Sequence, residues 1–208
     1  MRRMDKMAHF PFAFTESHPD SWDFNEVTGS LAVTSLPQSD LYCNPKGEFS
    51  SEGPSVLNAL TLLANPMVAD FQFSARVSVD FNSTFDAGVL LIWRNEQSWA
   101  KLCFEYSPDQ AAMVVSVVTL GVSDDANSFT VPLHTVWLRI SRMEHVYAFH
   151  ASGDGEAWKL VRVFTLGGEV SEHSVGFEAQ APTGNGCQVT FEQIKFARTS
   201  LVELRDGS

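Results

Sequence analysis

The residue types most able to do chemistry alternate along residues 98–106, which read SWAKLCFEY. Trp99, Lys101, Cys103 and Glu105 stand at every second position. Because successive side chains of a β-strand point to opposite faces, these four would share one face, and the apolar residues between them would face a core. An aromatic ring, a cation and a carboxyl on one strand face suit a ligand-binding groove better than a face in bulk solvent. The spacing therefore predicts a binding groove above this strand.

Two other interpretations of this segment stay open. Lys101 or Glu105 could form a cross-strand ion pair, with a neighbour such as Arg139 or Glu178, on an exposed sheet face. Glu105 and Glu178 could also flank a glycosidic bond, since glycoside hydrolysis uses two carboxyl groups roughly 5 to 9 Å apart across a groove. The strand of Glu105 carries no second acid on the same face, so we expect a binding protein rather than an enzyme.

Two loop segments carry further acidic candidates. In residues 39–45, SDLYCNP, Asp40 precedes an Asn-Pro turn and either points a carboxylate at the mouth of the sheets or caps the turn. In residues 152–158, SGDGEAW, Asp154 resembles the aspartate of the sialidase Asp-box hairpin, although one residue is missing between Asp154 and Trp158. Asp-Gly is a strong tight-turn signal, so we expect Asp154 to have a structural role.

Histidine and cysteine spacing indicates neither a metal site nor a disulfide framework. The six histidines show no spacing that would place two of them on one face beside a carboxylate. The sequence also lacks a phosphate-binding glycine loop, a dinucleotide fingerprint and a nucleophile elbow, so we expect no cofactor. Cys43, Cys103 and Cys187 are widely spaced, which predicts reduced thiols and a cytoplasmic location.

Charge and hydropathy exclude two classes of partner. The formal net charge is −11, so there is no surplus of Lys and Arg to neutralise phosphates, and we expect no nucleic-acid partner. No apolar run is long enough to span a bilayer, and the first residues lack the continuous apolar segment of a signal peptide. We therefore expect no membrane partner.

The elements that must position these residues are β-strands. Turn signals such as Asn-Pro-Lys-Gly and Thr-Gly-Asn-Gly recur at short intervals, which predicts roughly a dozen strands and no long helix. Apolar and polar residues alternate, or apolar residues run almost without interruption, in residues 71–81, 86–94, 114–119, 136–141, 175–179 and 189–191. This pattern predicts an all-β, single-domain antiparallel β-sandwich over residues 11–200, with a flexible N-terminal tail at 1–10 and a C-terminal tail at 201–208.

A series of short motifs occurs in order over about residues 12–196: Ser39-Asp40-Leu41-Tyr42 with Pro45, Asp86-Ala87-Gly88-Val89-Leu90, Trp99, Lys101, Glu105 and Tyr106, Ser116-Val117-Val118-Thr119, Ser123-Asp124, Val136-Trp137-Leu138-Arg139 with Arg142, Ser152 with Asp154-Gly155 and Trp158, Gly176, and Gln180-Ala181-Pro182. As a set they resemble the regulation-of-enolase protein family, a family of unknown function with a concanavalin A-like lectin/glucanase fold. Asp125 stands where that family often has Trp, and Ala181 where it often has Ser.

The resemblance implies a jelly roll with a concave face, a link to carbohydrate metabolism and no established catalytic activity. We expect a carbohydrate or small polar ligand in the concave groove, bound by Asp40, Trp99, Lys101, Glu105, Thr119, Asp124, Trp137 and Arg139. In that arrangement a tryptophan would stack on a sugar ring, the charged residues of the strands would bind hydroxyls, and the two aspartates would lie at the rim. The alternatives are a regulatory module that binds a metabolic enzyme such as enolase and, third, a glycoside hydrolase.

Overall fold

The fold consists of β-strands joined by short loops, as the alternation predicts. The computed structural model describes residues 2–4, 7, 10–47, 55–67 and 70–208. In chain order the strands are β1 (Arg2–Met4), β2 (Phe14–Glu16), β3 (Trp22–Asn25), β4 (Ser30–Thr34), β5 (Leu41–Tyr42), β6 (Val56–Leu57), β7 (Leu60–Ala64), β8 (Phe71–Asp80), β9 (Ala87–Asn95), β10 (Ser98–Tyr106), β11 (Ala112–Leu120), β12 (Val122–Thr130), β13 (Thr135–Met143), β14 (Val146–Ser152), β15 (Lys159–Phe164), β16 (Ser174–Gln180) and β17 (Gln188–Ala197).

Two large antiparallel sheets form the sandwich. Sheet A has eight strands in the order β1-β2-β7-β16-β9-β10-β11-β12, and sheet B has seven in the order β15-β14-β13-β8-β17-β4-β3. The short strands β5 and β6 pair only with each other. A 3₁₀ turn at Val170–Glu172 lies between β15 and β16. The predicted all-β antiparallel sandwich is confirmed.

The core lies between the inner faces of the two sheets. Strand β8 shows the expected period of two, with Phe71, Phe73, Ala75 and Val77 buried and the residues between them partly exposed. Rings from both sheets meet at the centre, where the ring centroids of Phe177 and Phe191 lie 4.7 Å apart. Fully burying one such aromatic side chain stabilises the fold by roughly 1.5–3 kcal/mol, so this apolar layer supplies the main driving force for folding.

Described residues near both ends of the chain pack against the sandwich. Strand β1 pairs with β2, and Met7 is buried. At the other end Leu201 is buried, and the carbonyl oxygen of Gly207 accepts a hydrogen bond from Arg139 Nη2 at 2.7 Å. Residues 1, 5, 6, 8 and 9 of the predicted N-terminal tail, His9 among them, lie outside the described residues.

No helix in the described part of the chain has the length and apolar character needed to cross a membrane.

Gly88 lies where the two sheets pack closely against each other. A Cβ at this position would lie 2.6 Å from Val189 Cγ1 and 2.7 Å from Val77 Cγ1, both on the facing sheet. We expect Gly88→Ala to lower the free energy of unfolding by about 1–3 kcal/mol, because the extra methyl group forces the packed valines apart. Gly153→Ala is the matched control, since a Cβ there meets no atom within 4 Å. Urea denaturation of both variants measures the difference, and equal stabilities would contradict the expected steric cost.

Candidate functional site

The outer face of sheet A carries the chemically active strand. On β10, Ala100, Leu102 and Phe104 belong to the inter-sheet core, whereas Trp99 and Cys103 belong to a second apolar cluster on the opposite side of the sheet. Alternation along the strand places Lys101 and Glu105 on the same side as Trp99 and Cys103. The structure therefore confirms the prediction that these four side chains share one face of the strand.

That face is covered by the chain itself rather than open to solvent. Leu41, Cys43 and Ala59, from the segments that contain β5 and β6, pack into the second apolar cluster. The cover is tied to the edge strand β12, because Cys43 N–H donates to Ser123 Oγ at 2.9 Å and Ser123 N–H donates to the Cys43 carbonyl at 2.8 Å. As a result, Trp99 is fully buried. Where the sequence predicts an open groove, the structure has a polar site that the chain covers and that apolar side chains surround.

Lys101 is the centre of that site. Its side chain is 3% exposed, and Nζ donates hydrogen bonds to Asp40 Oδ1 at 2.8 Å and to Gln180 Oε1 at 2.7 Å. Gln180 is oriented in turn by the Phe85 carbonyl, which accepts from its Nε2 at 3.2 Å. Burial is the largest effect on Lys101 and opposes its charge, but the surrounding acidic groups, Asp40 foremost, together outweigh it and raise the pKa of the ammonium group. Lys101 is therefore a cation fixed in place beneath the cover.

Three further carboxyl groups interact electrostatically with Lys101. Glu178 on β16 is fully buried, and neither of its carboxyl oxygens has a hydrogen-bond partner among the described residues. Burial raises the pKa of Glu178 to about 8, while Lys101 acts in the opposite direction. The same balance of causes raises the pKa of the half-buried Glu105 to about 8 and also raises the pKa of Asp125. At neutral pH the two glutamates are mainly protonated, and each offers one donor and one acceptor.

We call this group the Lys101 cluster: Asp40, Lys101, Glu105, Asp125, Glu178 and Gln180. Strand register brings its members together, because Lys101 lies opposite Val117, which in turn lies opposite Asp125. On the other side of β10, strand β9 lies between Lys101 and the strand of Glu178. Perturbed carboxyl groups that converge on a buried cation are typical of functional sites.

Three of the eight predicted ligand residues come together in this cluster: Asp40, Lys101 and Glu105. Trp99 cannot meet a ligand in this conformation, because it is fully buried and its ring lies nearly parallel to that of Trp93, with centroids 6.4 Å apart. Thr119 is also fully buried and shares a hydrogen bond with Ser123 Oγ at 2.9 Å, so it supports the cover instead of lining a site.

Asp124 has a different position from the one expected. Its carboxylate forms a 2.8 Å ion pair with Arg162 of sheet B, because Asp124 lies opposite Val118 and shares the inner side of the sheet edge. The neighbouring Asp125 occupies the Lys101 row instead. Sequence reasoning did not place Asp125 or Gln180 in the site. Alternation would have given Glu178 and Gln180 one shared face, but only the order of the strands puts that face beside Lys101.

Trp137 and Arg139 lie on the opposite side of the molecule. Strand β13 belongs to sheet B, and the burial of Val136, Leu138 and Ile140 in the core turns Trp137 and Arg139 outward. The prediction that Lys101 and Arg139 line one shared groove is therefore wrong, because the two sheets and the core separate these residues. The proposed Arg139 ion pair with Lys101 or Glu105 is excluded for the same reason.

The hairpin of Asp154 has the structural role expected of it. Asp154 Oδ1 accepts hydrogen bonds from the backbone N–H groups of Glu156 and Ala157 and from Ser152 Oγ, each at 2.8 Å. These bonds lower the pKa of Asp154 to about 2. Gly155, with φ of +80°, packs against the Trp137 indole, where a Cβ would lie 2.9 Å from Nε1. The turn therefore holds its shape beside Trp137.

The remaining ligand-type side chains do not form a metal site. Among the residues that the structure describes, no group of three or more His, Cys, Asp or Glu side chains is placed to hold a metal ion. Cys43, Cys103 and Cys187 are free thiols, and all three are buried.

Solved structures with the same fold include proteins that this chain matches over nearly their whole length and proteins that it matches over about a third of their length. A functionally unknown protein from Saccharomyces cerevisiae matches with a TM-score of 0.74 and 22% identity, over 90% of this chain and 96% of the other. A GH43 protein from Bacillus licheniformis matches with a TM-score of 0.70 and 13% identity. The match covers 90% of this chain but only 37% of the GH43 protein. The carbohydrate-binding module CBM66 from Bacillus subtilis matches with a TM-score of 0.53 and 12% identity, over 88% of this chain and 94% of that one.

These likenesses show the fold alone and agree with the predicted concanavalin A-like sandwich. No curated protein matches the sequence. A family model described as "Protein of unknown function (DUF1349)" matches residues 16–199, which is most of the chain. The chain therefore belongs to the DUF1349 family.

Proposed function

We propose that this protein is a binding module whose Lys101 cluster holds a small ligand with several hydroxyl groups, such as a sugar. The observation that carries the proposal is Glu178, a fully buried carboxyl group without a hydrogen-bond partner in the described structure, beside a buried cation. A buried polar group without a partner costs free energy, so such a group in a native protein calls for an explanation. A hydroxyl group of a ligand would satisfy it.

The chemistry of the cluster matches polyols. Protonated Glu105 and Glu178 each provide a donor and an acceptor, Lys101 provides donors, and Asp40 provides acceptors. Glu105 is half-buried and Asp125 is exposed, so a ligand can approach from that side of the cover. A carbohydrate-binding module of Bacillus subtilis shares the fold, which supports a sugar by analogy.

Glycoside hydrolysis fits this site less well than binding does. A glycosidase needs one protonated and one ionised carboxyl group, and it obtains them from environments that move the two pKa values apart. Here burial raises the pKa of Glu105 and of Glu178 alike, to about 8. Regulation of a metabolic enzyme such as enolase, and a cytoplasmic location, stay predictions from the sequence.

Thermal-shift titration with neutral mono- and oligosaccharides tests the proposal. We expect at least one sugar to raise Tm, since a ligand at a hundred times its Kd stabilises the folded state by about 2.7 kcal/mol. Glu105→Ala should weaken that sugar's affinity about tenfold, because it removes both the donor and the acceptor of the half-buried carboxyl group. Glu26→Ala, the same substitution at an exposed position elsewhere, should bind like the wild type. No shift with any sugar, or equal affinity in both variants, would refute the site.

A further inference from the structure

We propose a second ligand site on the outer face of sheet B, in the pocket between Trp137 and Trp158, that binds a neutral oligosaccharide. The pocket has a volume of about 360 Å³, which lies in the range of small-molecule sites. Its walls combine two indoles with amide, carboxylate and ammonium groups, including those of Gln72, Glu156, Gln193 and Lys195. The two sheets and the core separate it from the Lys101 cluster, so it is an independent site.

The aromatic walls of this pocket are held rigidly. Trp137 Nε1 donates to Gln193 Oε1 at 3.1 Å, and Gly155 packs on the same indole. The Arg139 guanidinium lies 4.2 Å from the centroid of the Trp158 ring and donates to Gln72 Oε1 at 3.2 Å. Side chains that are already in place lose little conformational entropy when a ligand binds.

A β-bulge points a polar side chain into the same pocket. Strand β17 has one extra residue between Glu192 and Lys195, opposite Arg76 and Ser74 of β8. Within the bulge Gln193 has a φ of +48°, a left-handed conformation that costs a non-glycine residue free energy. Bulges of this kind redirect side chains and are over-represented next to functional sites. Gln193 is exposed, so core packing does not account for a residue other than glycine at this position.

The charge of the pocket favours a neutral ligand. Arg139 and Lys195 contribute two positive charges, and Asp154 and Glu156 contribute two negative charges. Asp154 also accepts hydrogen bonds from its own turn, and Arg139 donates through Nη1 and Nη2 to Gln72 and to the Gly207 carbonyl, so both side chains already have partners within the protein. Neutral hydroxyl groups, together with the apolar faces of sugar rings, match a surface of indoles and amides.

A neighbouring hollow indicates that the ligand is longer than one sugar. Farther along the same strands, on the same face of sheet B, lies a second pocket of about 390 Å³, lined by hydroxyl side chains that include Ser78, Thr135 and Thr190. The pair of Trp137 and Arg76 lies between the two hollows, since Trp137 is opposite Arg76 and Thr135 is opposite Ser78. An extended chain of sugar units could cross this pair and occupy both hollows.

The indole N–H signals of the five tryptophans separate the two proposed sites. In ¹⁵N NMR titrations with xylo-, cello-, malto- and fructo-oligosaccharides, we expect at least one to move the Trp137 and Trp158 signals, assigned with Trp→Phe variants. Movement confined to Trp93 and Trp99 would overturn this proposal and support the sheet A site. Movement of no indole signal would overturn it as well.

Variants on the two faces complete the test. Gln193→Gly should fold as stably as the wild type, because glycine prefers a positive φ, yet it should weaken the titration followed at Trp137 about tenfold by removing a hydrogen-bonding group. Glu105→Gln, on the opposite face, should leave that titration unchanged. Unaltered affinity in Gln193→Gly, or an equal loss in Glu105→Gln, would refute a separate site on sheet B.

Discussion

Glu178→Gln should become more stable than the wild type as pH rises, by an amount that grows from about pH 5 to about pH 8. The folded protein keeps the Glu178 carboxyl group protonated up to about pH 8, whereas the unfolded chain releases that proton near the ordinary glutamate pKa of 4.5. In this window the folded state binds more protons than the unfolded state, so wild-type stability falls by up to roughly 1.4 kcal/mol per pH unit for this one group. Glutamine keeps the shape of the neutral acid and has no proton to lose.

The difference between the two proteins at each pH isolates Glu178 from other titrating groups. Burial lowers the pKa of His150 to about 4 and also lowers that of His173, and both effects raise wild-type stability as pH increases toward about 6.5. The two histidines are present in both proteins, so their contributions cancel in the difference. Above about pH 6.5 the fall in stability caused by Glu178 should be present in the wild type and absent from Glu178→Gln.

Urea denaturation at pH steps between about 5 and 8 measures this difference, which should reach on the order of 3 kcal/mol at the upper end. Glu105→Gln should give a smaller effect of the same sign, because solvent reaches the half-buried Glu105. Glu26→Gln makes the same substitution at an exposed position and serves as the matched control. A difference between Glu178→Gln and the wild type that stays constant with pH would mean that Glu178 is ionised in the folded protein.

Asp40→Asn should lower the free energy of unfolding by about 2–3 kcal/mol, because it leaves the buried Lys101 ammonium without its counter-charge. Lys101 is 3% exposed and Asp40 is 19% exposed. Because solvent reaches Asp40, the expected loss of stability is smaller than for a fully buried ion pair. The loss should also loosen the cover over sheet A, since the Asp40 backbone forms hydrogen bonds with Asn58 and Ala59, just before β7.

Asp124→Asn is a matched control for this prediction. It makes the same chemical change in another 2.8 Å ion pair, but the Asp124 side chain is 70% exposed. Exposed ion pairs contribute about 0–1 kcal/mol, so the control should lose much less stability than Asp40→Asn. Adding Lys101→Met to Asp40→Asn should restore part of the loss, because the uncompensated charge is then gone. Equal losses in the two single variants would refute a buried charge pair as the origin of the effect.

Strand faces were predictable because they depend on local stereochemistry. Alternation along residues 98–106 places Lys101 and Glu105 on one side and the core residues on the other, whatever the partners of the strand. The Asp154 turn was equally predictable, since its hydrogen bonds join residues close together in the chain. Asp124 and Asp125 show the limit of this reasoning. Strand β12 is a mostly exposed edge strand without an apolar pattern, so only its register with β11 decides which aspartate faces Lys101.

The sequence by itself determined an all-β sandwich and one strand face that combines Lys101 with Glu105. The tertiary structure alone decided what surrounds that face: the cover that buries Trp99, the buried Glu178, and the assignment of Trp137 and Arg139 to the opposite sheet. The physical reason is that side-chain direction follows from backbone geometry within a few residues. Strand order depends instead on pairings between segments far apart in the chain, such as β16 with β9 and β17 with β4, and short-range patterns do not encode those pairings.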